Sequence, residues 1–292
     1  MTVVSENLKS VLSRGVVFVH GKGGVGKTVV SQAIAHRLAQ SGQKTLWVTL
    51  EDPLLPAGEC RSLAPSLWHL NCDFSQAFEE YAALKIGVAP LTRLFLQNKL
   101  IRYLAKAAPG IHELVLLGKI WHERVHYSHV VVDLPSTGHG LAMFQCTENF
   151  VKLFQGGPLH RDALSMLRSF EDPEETGHLI LALPEEMPLR EALDLNSYLN
   201  IIFPRNPSAF LVNRLFPTET ETETETSPTT PLARSAKEYS DRRRQLEAHN
   251  LRLWRDEGIP FGNLSYVPPP LRETPEAIVK KLTKQLQERG YV

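Results

Sequence analysis

Apolar residues in this chain come in short unbroken runs, separated by longer stretches in which they recur every three or four positions. Runs at 16–20, 45–50, 130–134, 178–183, 209–212 and 264–267 predict strands buried on both faces. A helical stretch over 32–40 closes on Ser41-Gly42, where glycine suits a helix C-terminus. Strand and helix alternate, which predicts an α/β fold with a mostly parallel sheet flanked by helices. The connections are unequal. Leu84, Leu91, Leu94, Phe95, Ile101 and Leu104 keep helical spacing across the long interval after Asp52, and a second helical stretch runs over 141–170. We read one domain over 1–292, with helical insertions at about 60–128 and 141–176 forming a helical subdomain at one end of the sheet. Residues 218–226 alternate Thr and Glu with no apolar face to bury, so a flexible Thr/Glu loop is expected at 217–231. A charged helix is expected over 232–255. A last helix, 276–288, puts Val279, Leu282 and Leu286 on one side, a face for packing and too short for a membrane anchor.

Composition narrows the class. Of 292 residues, 42% are hydrophobic and 22% charged, which is ordinary for a globular chain. Lys plus Arg and Asp plus Glu both number 32, so no global basic excess favours nucleic acid, and none is expected as a partner. The run Arg242-Arg243-Arg244 reads as a solvated helix face. Three cysteines, Cys60, Cys72 and Cys146, without a Cys-x-x-Cys pair fit a reducing compartment. Residues 1–14 lack a secretory apolar core, and no stretch approaches the roughly 18 apolar residues of a membrane span. A cytoplasmic location is expected.

The strongest chemical signal is Gly21-Lys22-Gly23-Gly24-Val25-Gly26-Lys27-Thr28, set between the first strand and the helix that ends at Gln40. Glycines let main-chain N–H groups curl around a phosphate, and the helix N-terminus adds partial positive charge. Lys27 can reach the outer phosphates, and the Thr28 hydroxyl can ligate Mg²⁺. A chance match in a chain this long is expected about 0.01 times. The same residues spell the dinucleotide fingerprint Gly21-x-Gly23-x-x-Gly26, with Glu51 and Asp52 where a ribose-binding acid would stand. That reading gives Lys27 and Thr28 no task and sets an ammonium against the helix dipole. A literal H-E-x-x-H at His122, Glu123 and His126 is the pattern of a zinc protease. Its helix must end almost at once, since a strand starts at Val130, and His129 stands where the longer zinc motif needs glycine. Glu148 is a third ligand only across an intervening strand and turn.

Val130-Val131-Val132-Asp133 is an apolar strand ending in an acid, the pattern that holds the metal's water in phosphate-loop proteins. Asp52 ends the second strand in the same way. In such sheets the carboxyl ends of neighbouring strands meet at the nucleotide crevice, so both acids are candidates there. Thr137-Gly138-His139-Gly140 reads as a flexible loop able to sense the γ-phosphate.

Lys22 sets the subclass. The loop with this extra lysine resembles the deviant Walker A motif of the class containing MinD, ParA, nitrogenase iron protein and the arsenite-pump ATPases. Asp133-Leu134-Pro135-Ser136-Thr137-Gly138-His139 is similar to switch II of the ArsA and tail-anchored-protein targeting branch, and Glu51-Asp52-Pro53 to its switch I. Pro109-Gly110-Ile111-x-Glu113, Leu183-Pro184-Glu185-Glu186-Met187-Pro188 and Val212-Asn213-Arg214 are similar to bacterial ArsA-like segments. The resemblance implies a P-loop NTPase that binds ATP with Mg²⁺ and hydrolyses it as a homodimer. It implies phosphate contacts from Gly21, Gly23, Gly24, Val25, Gly26, Lys27 and Thr28, metal ligation by Thr28, Asp52 and Asp133, and catalysis by Lys22, Lys27 and Asp52. Lys22 acts on the partner subunit's nucleotide, Gly138 contacts the γ-phosphate, and Asn213 with the main chain near Pro268 cradles the adenine. The implied client is a protein or an anion, a hydrophobic helix or membrane protein being the targeting branch's kind. Leu141, Met143, Phe144, Phe150, Val151 and Phe154 are candidates for an apolar client surface, though such stripes more often form core. After Asp52-Pro53 this chain has Leu54-Leu55-Pro56 in place of the family's Ala-His-(Ser/Asn), so an Asn that orders the switch is missing there. A nucleotide-binding regulatory module with little turnover is the alternative.

Overall fold

The computed structural model describes residues 3–87, 110–153, 156–217, 230–268 and 275–292. In chain order these form α1 (Val3–Leu12), β1 (Val16–Gly21), α2 (Lys27–Gln40), β2 (Thr45–Leu50), β3 (Cys60–Ala64), β4 (Leu67–Cys72) and α3 (Phe74–Ile86). Next come α4 (Ile111–Glu123), a short 3-10 turn (Arg124–His126), β5 (His129–Asp133), α5 (Thr137–Leu153) and α6 (Gly157–Phe170). The chain ends with β6 (Thr176–Ala182), α7 (Glu186–Ile202), β7 (Ser208–Leu215), α8 (Pro231–Asp256), β8 (Phe261–Ser265) and α9 (Pro275–Glu288).

All eight strands of the described residues join one sheet in the order β3-β4-β2-β5-β1-β6-β7-β8. Every neighbouring pair is parallel except β3 with β4. The six strands predicted from apolar runs are present within a few residues of their expected ends. Along β1 the side chains alternate: Val16 and Phe18 enter one core, Val17 and Val19 the other. Both faces are covered, which is why the run is apolar throughout. On one face lie α1, α2 and α9, which bring Leu8, Ile34, Leu282 and Leu286 to the sheet. The expected C-terminal face, Val279, Leu282 and Leu286, is buried, and Thr283 donates to the Ala33 carbonyl of α2 (3.3 Å). The other face carries α3 to α8, with Phe74, Leu117, Phe144, Met166, Leu195 and Trp254 among its core.

Two expectations are corrected. The insertion expected to be helical from about residue 60 opens instead with a hairpin, β3 and β4, turning at Pro65-Ser66 with Ser66 in left-handed backbone (φ 60°). β4 pairs along the whole of β2, and β3 caps that edge with exposed side chains. The stretch 141–170 is helical as expected, in two helices that part at Gly156-Gly157, where Gly157 has φ 88°. Thr137-Gly138-His139-Gly140, expected as a flexible loop, is the first turn of α5, with His139 and Gly140 N–H groups donating to the Ser136 carbonyl. The expected helices over 88–108 and the Thr/Glu segment at 218–229 lie outside the described residues.

One polar pair sits in the core beneath the crevice end of the sheet. His20 (β1) and His178 (β6) are buried and share a hydrogen bond, Nε2 to Nδ1, of 3.0 Å. His178 stacks between Phe18 and Phe203, while Phe144 stands edge-on. Burial pushes both imidazoles down, His178 to about 3, with His178 and Lys27 adding to the effect on His20. Both are therefore neutral when folded and take protons near the ordinary 6.5 when unfolded, so acid favours the unfolded chain. Denaturant titrations of wild type and His178→Met should show the variant gaining on wild type by about 1.4 kcal/mol per pH unit below about 6.5. A constant offset between the two from pH 8 to pH 5 would remove His178 from the acid response.

Candidate functional site

The loop after β1 is shaped by contacts that exclude side chains. Gly21 has φ 144°, and a Cβ there would stand 2.6 Å from the Leu181 carbonyl oxygen of β6. Gly26, at φ 93°, faces Asn213 Nδ2, which a Cβ would meet at 2.6 Å. Asn213, buried at the end of β7, donates to the Val25 carbonyl (2.9 Å) and accepts from the Arg214 N–H. Expected as an adenine contact, it here clamps the loop's own main chain. Gly23 and Gly24 face open space, leaving room for an anion against their main chain.

Lys27 opens α2 and folds back over the loop, donating to the carbonyls of Gly21 (2.9 Å) and Lys22 (3.1 Å). Burial lowers its ammonium pKa, and Asp133 opposes that shift. One residue on, the Thr28 hydroxyl donates to Asp133 Oδ2 (2.6 Å) at the tip of β5. The other oxygen, Oδ1, is buried with no partner. Burial raises Asp133 to about 6, the Asp52 charge adds to this, and Thr28 and Lys27 hold it back. A buried carboxylate oxygen without a donor, next to a hydroxyl and a lysine, fits a divalent cation carried in on phosphates: Mg²⁺ takes one or two protein oxygens and keeps phosphate and water for the rest. Thr28 and Asp133 are the residues placed to hold it.

Asp52 lies across the crevice at the end of β2, close enough for its charge to act on Asp133. Its Oδ1 accepts from the Leu54 N–H (2.9 Å), closing a tight turn. That turn is ordered from β4. Asn71, buried, accepts from the Asp52 N–H (3.0 Å) and the Thr49 hydroxyl (3.1 Å) and donates to the carbonyls of Asp52 (2.9 Å) and Leu55 (3.0 Å). An Asn from the neighbouring strand thus holds the turn after Asp52. Glu51, held in left-handed backbone (φ 49°), accepts from the Phe74 N–H and pairs with His112 of α4 (2.9 Å), so both helices α3 and α4 are tied to this turn.

The remaining expected residues spread around this centre. Lys22 Nζ pairs with Glu191 Oε1 of α7 at 2.5 Å within the same chain. Gly138 is exposed in the first turn of α5, the helix that follows β5. Pro268 is exposed just beyond β8. Of the candidate client surface, Leu141, Met143, Phe144 and Phe150 are core, Val151 is half-buried and Phe154 lies outside the described residues. These residues are therefore not a free apolar face. His122 and His126 stand ring to ring at 6.0 Å where α4 ends, while Glu123 is bound by Lys119. Among the described residues no three His, Cys, Asp or Glu side chains gather as a metal site. Cys60 is exposed, Cys146 half-buried, and Cys72 buried with its thiol pushed up to about 12, each on a different element. The triple arginine lies on α8, where Arg243 pairs with Glu185 and Glu247.

Comparison with known proteins decides the family. The sequence profile of the anion-transporting ATPases matches residues 14–167, just over half of the chain. This chain belongs to the anion-transporting ATPase family. The match takes in the glycine loop, Asp52, Asn71, Asp133 and Gly138. The ATPase BagA of Mycobacterium tuberculosis is 28% identical over 198 residues, covering 60% of this chain and 58% of its own. A putative arsenical pump-driving ATPase 2 of Aquifex aeolicus is 25% identical over 242 residues, 69% of this chain and 80% of its own. An ATPase ASNA1 homolog of Plasmodium berghei is 25% identical over 218 residues, 60% and 56%. The chain thus spans less than two thirds of the mycobacterial and Plasmodium relatives.

Asn71 was hidden in the sequence because its strand was read as helix. The run Leu67-Trp68-His69-Leu70-Asn71-Cys72, following Ala64-Pro65-Ser66, carries a turn-then-strand signal that finds it. Asn71→Ala leaves the half-buried Asp52 N–H and the Asp52 and Leu55 carbonyls without their partner and should cost about 1–3 kcal/mol of stability. In nucleotide assays it should lower phosphate release at least about tenfold, with ATP affinity held within about threefold, as expected for loss of a positioning group. Equal loss of affinity and turnover would show that Asn71 serves the loop and not Asp52.

Proposed function

We propose that this chain binds ATP with Mg²⁺ and hydrolyses it, working as a homodimeric switch whose closure acts on a protein or anion client. One observation carries the reading: Lys27, Thr28 and Asp133 meet at the adjoining tips of β1 and β5, with the lysine resting on carbonyls and Asp133 Oδ1 buried and unpartnered. Each group lacks what a metal-bound triphosphate provides. Mg²⁺, when bound, neutralises phosphate charge and fixes the phosphates' orientation. Lys27 exchanges the Gly21 and Lys22 carbonyls for phosphate oxygens. Asp52, set by Asn71, is placed to accept hydrogen bonds from the attacking water and orient it. The N–H groups of α5's first turn, Gly138 among them, face developing negative charge. Lys22 serves the partner subunit's nucleotide, so the site is complete only in the closed dimer. Loss of the γ-phosphate then removes the contacts that favour closure.

The relatives' names bear on the client. The Aquifex protein is named for an arsenical pump, but the three cysteines here sit on separate elements with dissimilar surroundings, so no thiol set for arsenite supports that client. No described helix is long and apolar enough to cross a membrane.

Calorimetry in magnesium buffer should show ATP binding by the wild type and none by Lys27→Ala. Asp52→Asn should bind ATP but release phosphate about 100-fold more slowly, as for loss of a group that handles the attacking water. Absence of heat with either ATP or GTP at millimolar excess would overturn the nucleotide site itself. Wild-type turnover in Asp52→Asn would leave the site but remove Asp52 from the chemistry.

A further inference from the structure

Lys22 is not idle in the single chain. Its ammonium lies 2.5 Å from Glu191 Oε1 on α7, an element far from the loop in sequence and brought beside it by β6. The carboxylate is one-third exposed, the lysine about half. Glu191's second oxygen is buried and has no partner of its own. Lys22 is thus the charge that compensates this acid. The residue is held at a second point as well, because its carbonyl accepts from Lys27. The main chain of Lys22 is therefore held by one cation, Lys27, and its side chain by one acid, Glu191, of the same subunit.

We infer that Glu191 is a latch that holds Lys22 on its own subunit and must release it before the dimer closes. The inference rests on the proposal that Lys22 serves the partner's nucleotide. The two holds then open by different events. A triphosphate draws Lys27 from the Lys22 carbonyl and frees the main chain, but it does nothing to the Glu191 carboxylate. Only a stronger anion facing Lys22, the partner's phosphates, outcompetes that acid. Nucleotide alone leaves the latch shut; nucleotide in an opposing subunit opens it. Glu191 so acts as a positioning residue through Lys22 and sets the protein concentration at which closure occurs. Exposed ion pairs contribute modestly, so the shift is small in size and sensitive to salt.

The test is sedimentation of the full chain with Mg²⁺ and a non-hydrolysable ATP analogue, at low and at raised salt. Glu191→Gln keeps the shape of the side chain and removes its charge. At low salt it should dimerise with a dissociation constant about two- to fivefold lower than wild type. At raised salt the two should converge, because screening weakens the wild-type pair, whereas an effect of altered packing would persist. If wild type dimerises and Glu191→Gln matches it or dimerises more weakly at low salt, the latch is refuted while the switch stands. A low-salt gain that is undiminished by salt also refutes it, since the cause is then not the charge. If wild type does not dimerise with nucleotide at all, or Lys22→Gln dimerises and hydrolyses as wild type does, the underlying reading of Lys22 fails and the latch with it.

Discussion

The crevice is organised by a carboxylate with one oxygen kept from water. Asp133 sits at the tip of a strand buried on both faces, and only one of its oxygens finds a donor, the Thr28 hydroxyl. That single hydrogen bond ties the start of α2 to the end of β5, the two elements that must stay in register for the loop to present both a lysine and a hydroxyl to one ligand. Without it, Asp133 would keep only the Lys27 charge to offset its burial, and its neutral form would be further favoured. The glycine loop depends on the same crowding from the other side. Leu181 and Asn213 leave no room for a Cβ at Gly21 and Gly26, so the main chain itself forms the wall of the crevice.

From that point outward, each layer fixes the next. β5 and β2 are parallel neighbours, which places Asp52 across from Asp133. β4 lies outside β2 and inserts Asn71 beneath the Asp52 turn. Glu51 then links the turn to α3 and α4 through Phe74 and His112. A movement of Asp52 toward a ligand is therefore felt at the start of two helices, through hydrogen bonds and one stacked pair, His112 on Phe74 at 4.7 Å. This is a contiguous set of contacts from the nucleotide crevice to the helical layer.

Much of this was legible in the sequence, and the rest was hidden for identifiable reasons. Strands covered on both faces must be apolar along their whole length, so six of the eight announced themselves. β4 did not, because His69 and Asn71 interrupt its apolar run with buried polar groups that serve Thr49 and the Asp52 turn. β3 did not, because an edge strand with exposed side chains has no apolar pattern to show. The glycine loop, Lys27, Thr28 and Asp133 were found because local spacing alone defines them. Asn71 and Glu191 matter through partners brought close by the sheet, the latter 169 residues from Lys22, and no local pattern records such a meeting. The segment at Gly138 was read in the wrong backbone state: Gly-rich composition suggested a loop, while the Ser136 carbonyl accepts from two N–H groups and starts a helix.

The resting place of Lys27 has a thermodynamic consequence. Its ammonium is already solvated by two carbonyls of the loop it guards, so an incoming ligand gains only the difference between those bonds and its own. A small monoanion offers little beyond what the carbonyls provide and exchanges freely with water. A ligand of several linked, strongly charged oxygens gains at every N–H of the loop at once and displaces both carbonyls in one step. Main-chain dipoles at the loop thus favour polyvalent over monovalent anions before any contact with a base or sugar is made.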